Sequence, residues 1–288
     1  MTTIKYRLLK DRLFFYIICG ISSLTLIPLG SIIWELIRKG IKQINFSFFM
    51  EVAPSTLDAM LAKTSGESIP GGIANGIIGT LIIVAMASII AIPIGLFGGI
   101  QLAENSKSKL SSLVRFVTEL LNGIPSIVLG MIAYAWIVKP VTTGYSALAG
   151  SVALAIMMLP LIVRSTEESI KMLPTSLKEA ALALGASYST TIIRVILPSA
   201  MSGLFTGILL AISRVMGETA PLLLTALGSS VISLDVSKPS SAIPLLIWEF
   251  YNDPYLIDMI WSSSLFLLML ILIFNLIAKR ISKKWRIQ

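Results

Sequence analysis

AISRVMGETAPLLLTA, residues 211–226, lies in a run otherwise suited to lipid, yet it carries an arginine and, four residues later, a glutamate. A charged side chain near the middle of a membrane helix costs at least ~2.5–3.5 kcal/mol on insertion scales, and such residues persist where they face a protein interior or a water-filled path. The rest of the chain shares the apolar character of this run. Of its 288 residues 55% are hydrophobic and 13% charged, with a mean hydropathy of +0.87. Soluble domains carry about 25% charged residues, so this is an integral membrane protein with little soluble mass.

The net charge of +8 would suit nucleic acid, but the basic residues cluster beside apolar spans, where membrane topology demands them. No nucleic-acid partner is expected. There is no histidine, and the one cysteine, Cys19, sits inside the first apolar span, where it reads as a small packing residue. That excludes an intrachain disulfide, His-based catalysis and Cys/His metal sites. Neither a cofactor nor a catalytic residue is expected. The basic N-terminus followed by an apolar run resembles a signal peptide. However, the run at 13–34 is too long for a signal core and no A-x-A-like site follows, so it reads as a retained anchor.

Six segments approach the ~20 apolar residues that a spanning helix needs: 13–34, 74–102, 113–138, 147–163, 201–226 and 259–278. Pro93, Pro125 and Pro221 are expected to interrupt their spans, which membrane helices tolerate when neighbours re-satisfy the freed carbonyls. Sixteen Lys and Arg fall on one side of this arrangement, including four at the N-terminus and five at the C-terminus. Six fall on the other, and Arg214 lies inside the fifth span. The positive-inside rule places both termini in the cytoplasm. The two larger outside segments are 35–73 and 228–258. The second, rich in Pro, Ser and aromatic residues, reads as a structured external cap that serves packing or docking.

The longest inside segment is RSTEESIKMLPTSLKEAALALGASYSTTIIRVILP, residues 164–198. Ser176 followed by Glu179 matches a capping box, so a short helix is expected over 177–184. Gly185 stands where a helix end wants a left-handed residue, and Pro174 and Pro198 punctuate the loop. By physics alone this is a short rigid helix on the cytoplasmic side or an amphipathic helix lying on membrane lipid.

The same residues carry a resemblance. Glu179, Ala180, Ala181 and Gly185, followed by Leu197 and Pro198, resemble the EAA loop of bacterial ABC importer permeases, E-A-A-x3-G-x9-I-x-L-P. Only the isoleucine departs, being Val195 here. The resemblance implies that this helix docks on an ATPase subunit and transmits its movement. GGIANGIIGT (71–80), IPIGLFGGIQLAE (92–104), NGIPSIVLGM (122–131) and RVMGETAPLLLTA (214–226) are together similar to the PstA family, permease subunits of phosphate-specific ABC importers.

That similarity covers most of the chain after Gly71 and implies an all-α, six-span type I importer fold. Residues 1–70 would form a cytoplasmic tail, first helix and external segment. Residues 71–288 would form the transport domain, with the coupling loop at 164–198 and the external loop at 228–258. The implied partners are a homologous PstC-like permease, two ATPase subunits, an external phosphate-binding protein and phosphate itself, in the bacterial inner membrane. ATP hydrolysis would reside in the partners, and no G-x-x-x-x-G-K-[ST] occurs here. Other readings stay open: the same role for molybdate or sulfate, or an ion-coupled secondary transporter, although no internal repeat of the kind those often show is apparent.

The opening question then has a candidate answer. If the fifth span is one helix, Arg214 and Glu218 share a face at i, i+4 and can pair. Such a pair either only locks packing or lines a substrate path. A guanidinium is permanently charged and forks onto two oxygens of an oxyanion, so Arg214 and Glu218 are taken as translocation residues. Arg164, ending the fourth span, is a positive-inside anchor or a second anion contact. Arg115 and Glu119 are expected to form an i, i+4 structural bridge.

Overall fold

The computed structural model describes residues 2–285; Arg286, counted above with the basic C-terminus, and the terminal Gln288 lie outside the described residues. The helices are α1 (Thr2–Gly40), α2 (Phe46–Met50), α3 (Thr56–Ser65), α4 (Ala74–Glu104), α5 (Lys109–Gly123), α6 (Ser126–Ala133), α7 (Ala147–Lys171), α8 (Thr175–Ala183), α9 (Tyr188–Thr191), α10 (Leu197–Val215), α11 (Ala220–Leu223), α12 (Ile243–Tyr251) and α13 (Ile257–Trp285). π-helical turns extend α6 over Tyr134–Val138 and join α9 to α10 over Ile192–Ile196. Among the described residues, five helices are long and apolar enough to cross a membrane: Tyr6–Gln43, Ala74–Glu104, Ala147–Lys171, Tyr188–Val215 and Ile257–Ser282. The expected third span is instead two helices bent by 110°.

Close approaches settle how many times the chain crosses. A Cβ on Gly95 would lie 2.6 Å from Ile162, one on Gly99 2.4 Å from Thr166, and one on Gly150 3.7 Å from Ile83. Residue number rises together on α4 and α7, so the two helices are parallel. The chain must therefore cross back between them, and the bent α5–α6 pair is that third crossing. α10 runs against α7, with Gly203 beside Ser169 and Gly207 beside Ser165. α13 runs against α10, with Ser202 and Thr206 bonded to Ser282 and Ser213 bonded to Asn275. α1 meets the start of α13, where Gly40 abuts Trp261 and Leu265 and its carbonyl accepts from Ser262 at 2.7 Å. From Tyr6 to Trp34, Cys19 included, α1 is exposed in the single chain, so among the described residues Cys19 packs against nothing within this chain. Six crossings thus bring the N-terminal end of α1, the C-terminal end of α13 and the 164–198 loop to one end of the bundle, here the terminal end. The opposite, cap end carries residues 41–72 and 228–256. There Phe48, Ile73, Leu246, Phe250 and Met259 form a buried cluster, and Asn75 ties the two segments together by bonding both Ala53 and Ser229.

The three interrupting prolines behave differently from one another. Pro93 lies inside an unbroken α4, correcting the expectation. Pro125 does break its span: it confines Ile124 to an extended conformation (φ −80, ψ 130), and the chain turns between Gly123 and Ser126. The fifth span begins earlier than expected, at Tyr188, and stops at Val215 rather than continuing to 226. A continued helix would need the missing Pro221 amide for the Gly217 carbonyl, and the proline ring would meet that carbonyl.

Candidate functional site

Arg214 occupies the last turn of α10. Gly203 and Gly207 lie beside Ser169 and Ser165, which by extension sets Arg214 level with Met158 of α7. At ~1.5 Å per residue that is about 16 Å from the cap end of α7 and about 20 Å from its terminal end. The helix therefore ends near mid-depth, and Arg214 sits at its carboxyl terminus, where the macrodipole and orphan carbonyls favour a cation. Its side chain is exposed, on a stripe with Thr206 and Leu210.

The expected Arg214–Glu218 pair is not formed, and no ion pair joins them among the described residues. The reason is the break. Gly217 N–H bonds to the Arg214 carbonyl at 3.3 Å and Glu218 N–H to the Val215 carbonyl at 3.2 Å. These three-residue turns take the chain out of the α-helix before Glu218, so the i, i+4 face no longer exists. Glu218 lies half-buried beyond the turn, and Thr219, Ala220 and Pro221 lead into α11. Pro221 packs against Gly130 of α6, so the two broken crossings meet each other.

Arg164 is already occupied. Its Nε donates to Glu168 Oε1 at 2.8 Å, and Glu167 and Glu119 add negative charge nearby. Arg115 does not pair with Glu119 as expected. It reaches Glu167 Oε1 at 2.8 Å, and the same oxygen receives Lys171 Nζ at 2.5 Å. The Glu167 side chain is only 8% exposed. A buried carboxylate without partners is far costlier than an exposed one, so both cations go to it: Lys171 from within α7, and Arg115 from α5, which binds α5 to α7.

In the loop, α8 begins at Thr175, earlier than expected. The capping box does not form. Pro174 occupies the cap position with φ −65 and no side-chain bond, and Ser176 is already helical. The carboxyl end matches expectation: Gly185 has φ +81, its N–H bonds to Leu182, and Ala186 N–H reaches Ala181. This pair of bonds is the Schellman pattern, which needs a left-handed residue. Glu179, Ala180, Leu182, Ala183 and Leu184 are exposed and Ala181 half-buried, so α8 offers a largely uncovered small and apolar surface. Leu197 and Pro198 start α10 rather than joining that surface. Lacking an amide, Pro198 cannot serve the Arg194 carbonyl, and the ladder widens to π spacing just before it.

One constellation was not anticipated from the sequence. Glu104, the last residue of α4, accepts a short hydrogen bond from Lys178 of α8 and one of 2.6 Å from the Tyr188 hydroxyl of α9. Lys178 Nζ also lies 4.9 Å from the centre of the Tyr188 ring. The partners are 74 and 84 residues apart from Glu104 along the chain, beyond any local spacing rule.

With this geometry in view, comparison with known proteins is informative. A family model described as binding-protein-dependent transport system inner membrane component matches residues 91–287. The chain is 36% identical over 251 residues to the phosphate transport system permease protein PstA of Pasteurella multocida, across 86% of this chain and 85% of that protein. It is 37% identical over 247 residues to the PstA of Xylella fastidiosa, across 85% and 82%. It is 32% identical over 278 residues to a probable PstA of Methanocaldococcus jannaschii, across 94% of each. Among solved structures, a chain of the inward-facing MetNI methionine ABC transporter superposes with a TM-score of 0.64 at 22% identity, covering 73% of this chain and 94% of that one; this likeness speaks to fold alone.

Proposed function

The chain belongs to the family of binding-protein-dependent transport system inner membrane components, and on that premise we propose that it is the permease subunit of an ATP-driven importer of inorganic phosphate. The fold is that of a type I ABC importer permease. The chain is not an enzyme, and ATP hydrolysis belongs to partner subunits. The observation that carries the phosphate reading is the sustained identity with proteins named PstA. It is joined by a guanidinium at mid-depth, on a helix that stops there, with no ion pair among the described residues.

In this reading Arg214 receives the anion. Its fork grips two phosphate oxygens, while the adjacent helix carboxyl terminus keeps the site from binding so tightly that release stalls. Glu218, across the turn, accepts a hydrogen bond from a protonated phosphate oxygen and repels sulfate, which lacks that proton at neutral pH. Arg164, held by Glu168, would meet the anion at the exit only by exchanging that carboxylate for it. A homologous PstC-like permease supplies the other wall of the path, and an external phosphate-binding protein delivers the anion. Two ATPase subunits take α8, with Glu179, Ala180, Ala181 and Gly185 forming the docked segment and Leu197 and Pro198 anchoring its return into the membrane. Residues 71–288 are the transport domain, and the protein lies in the bacterial inner membrane.

The test is ATP-dependent uptake of labelled phosphate by vesicles holding all components. Uptake that needs both ATP and loaded binding protein is expected. Preferential uptake of molybdate or sulfate would move the chain to another oxyanion, and uptake driven by an ion gradient without ATP would remove it from this role.

The terminal end of the bundle, where most of the Lys and Arg gather, faces the cytoplasm under the positive-inside rule. A reporter fused after Gln288 should then be active only in the cytoplasm, and one inserted near Ser237 should read as external. The opposite pattern would detach α8 from any cytoplasmic partner.

Gly185→Val tests α8 itself. A β-branched residue resists the left-handed conformation observed here, so the loop should shift its exit from α8 while the bundle remains intact, since nothing lies within 4 Å of the added Cβ. Uptake should fall by about tenfold, the scale of a typical coupling energy, while the amount of assembled complex stays near wild type. Full uptake in the variant would show that the α8 exit geometry is irrelevant to coupling.

A further inference from the structure

We propose that Glu104 is a positioning residue that yokes the coupling segment to α4, so that movement of α8 is delivered to the α4–α7 pair; the role rests on the permease reading above. The first observation is a local rule broken. Glu104 closes α4, and a carboxylate at a helix carboxyl terminus opposes the macrodipole. Its side chain is also only 8% exposed. Such a residue is tolerated only where its surroundings hold it, and departures from local preference concentrate at functional sites.

The second observation is where the compensating donors come from. Lys178 lies on α8, before the Gly185 turn, and Tyr188 opens α9, after it. One carboxylate thus gathers both sides of the turn. The ammonium resting by the Tyr188 ring closes the triangle. An apolar cluster containing Ile100, Leu177, Ile192 and Ile196 seats the same segment against α4. Apolar contacts are non-directional and permit sliding, whereas charge-assisted hydrogen bonds fix register.

The third observation is what α4 does with the load. The backbone connects α8 to α7 and, through α9, to α10, but not to α4. Besides the route through α7, Glu104 and the cluster beneath it give α8 and α9 a direct hold on α4. Gly95 and Gly99 hold α4 so close to α7 that a Cβ on either would approach within 3.0 Å of Ile162 or Thr166. Packing that tight transmits displacement rather than absorbing it.

The experiment uses the full complex in vesicles and reads phosphate imported per ATP hydrolysed. Glu104→Ala should lower this ratio by about tenfold while ATP hydrolysis continues and loses its dependence on loaded binding protein. Tyr188→Phe keeps the ring beside Lys178 and removes only the hydroxyl; it should give a smaller fall in the same ratio. Glu104→Lys combined with Lys178→Glu should recover part of what Glu104→Lys loses. A purely structural role would instead lower the yield of complex and leave the ratio of the surviving complex unchanged, and that result overturns the proposal. If Glu104→Ala fails to assemble, Tyr188→Phe decides: an unchanged ratio rejects the yoke and a lowered one sustains it. A wild-type complex that hydrolyses ATP without importing phosphate removes the substrate assignment alone, because the yoke is then read from stimulation of hydrolysis by the binding protein.

Discussion

Arg214→Gln should reduce phosphate uptake by about two to four orders of magnitude while the complex still inserts and assembles. The size follows from two charge-assisted hydrogen bonds lost at about 1.5–3 kcal/mol each, with tenfold per 1.4 kcal/mol. The survival of assembly follows from the structure. Arg214 is exposed in the single chain and makes no ion pair among the described residues, so no buried partner is orphaned by its removal. Loss of the charge also lowers the insertion penalty. Labelled-phosphate uptake against the yield of purified complex separates the two effects. Variants that assemble and transport normally would take Arg214 out of the path.

The neighbouring substitutions sharpen that result. Arg214→Lys keeps the charge but not the planar fork, so it should recover only a small part of uptake. Glu218→Gln should barely affect assembly, because the break after Val215 keeps the carboxylate from pairing with Arg214. Its expected effect is on choice of anion, with sulfate competing more effectively once the carboxylate is neutral. Had the α-helix continued through Gly217, the carboxylate could have paired with Arg214, and the same substitution would have left the guanidinium without that partner.

What the sequence revealed was set by distance along the chain. Long apolar runs marked the crossings, and Gly185 marked the end of α8, because each depends on residues within one or two turns. Pro93 and Pro125 look alike locally but differ in outcome. Pro93 lies in a helix whose Gly95 and Gly99 face is pressed along α7, and neighbours can satisfy what the proline leaves free. Pro125 follows Gly123, which has nothing within 4 Å of its Cβ position, and there the chain bends. The Ser176–Glu179 spacing misled because Pro174 already supplied the start of the helix. Arg115 chose Glu167, 52 residues away, over Glu119, because a buried carboxylate outbids an exposed one. Glu104 could not have been singled out, since both its partners are brought to it only by the fold.

Gly99→Leu should prevent the bundle from forming. A Cβ at this position would meet Thr166 Cβ at 2.4 Å and the Val163 carbonyl at 2.7 Å, before the rest of the side chain is added. One of those atoms is backbone of α7 and cannot rotate away, so α4 and α7 must separate. In lipid, helix association relies on close packing rather than on exclusion of water, and overpacking a tight interface costs about 1–3 kcal/mol or more. Separation would also pull apart neighbours of the interface, Gly95 with Ile162 and Glu104 with Lys178 and Tyr188. Against a total stability of about 5–15 kcal/mol, the expected outcome is loss of most detergent-extractable, monodisperse complex, measured by size-exclusion yield. Gly123→Ala is the matched control: its added Cβ meets nothing within 4 Å, and the yield should be unchanged. Normal yield from Gly99→Leu would mean that α4 and α7 are not in contact along this face. The parallel arrangement that makes α5–α6 a crossing would then have lost one of its supports.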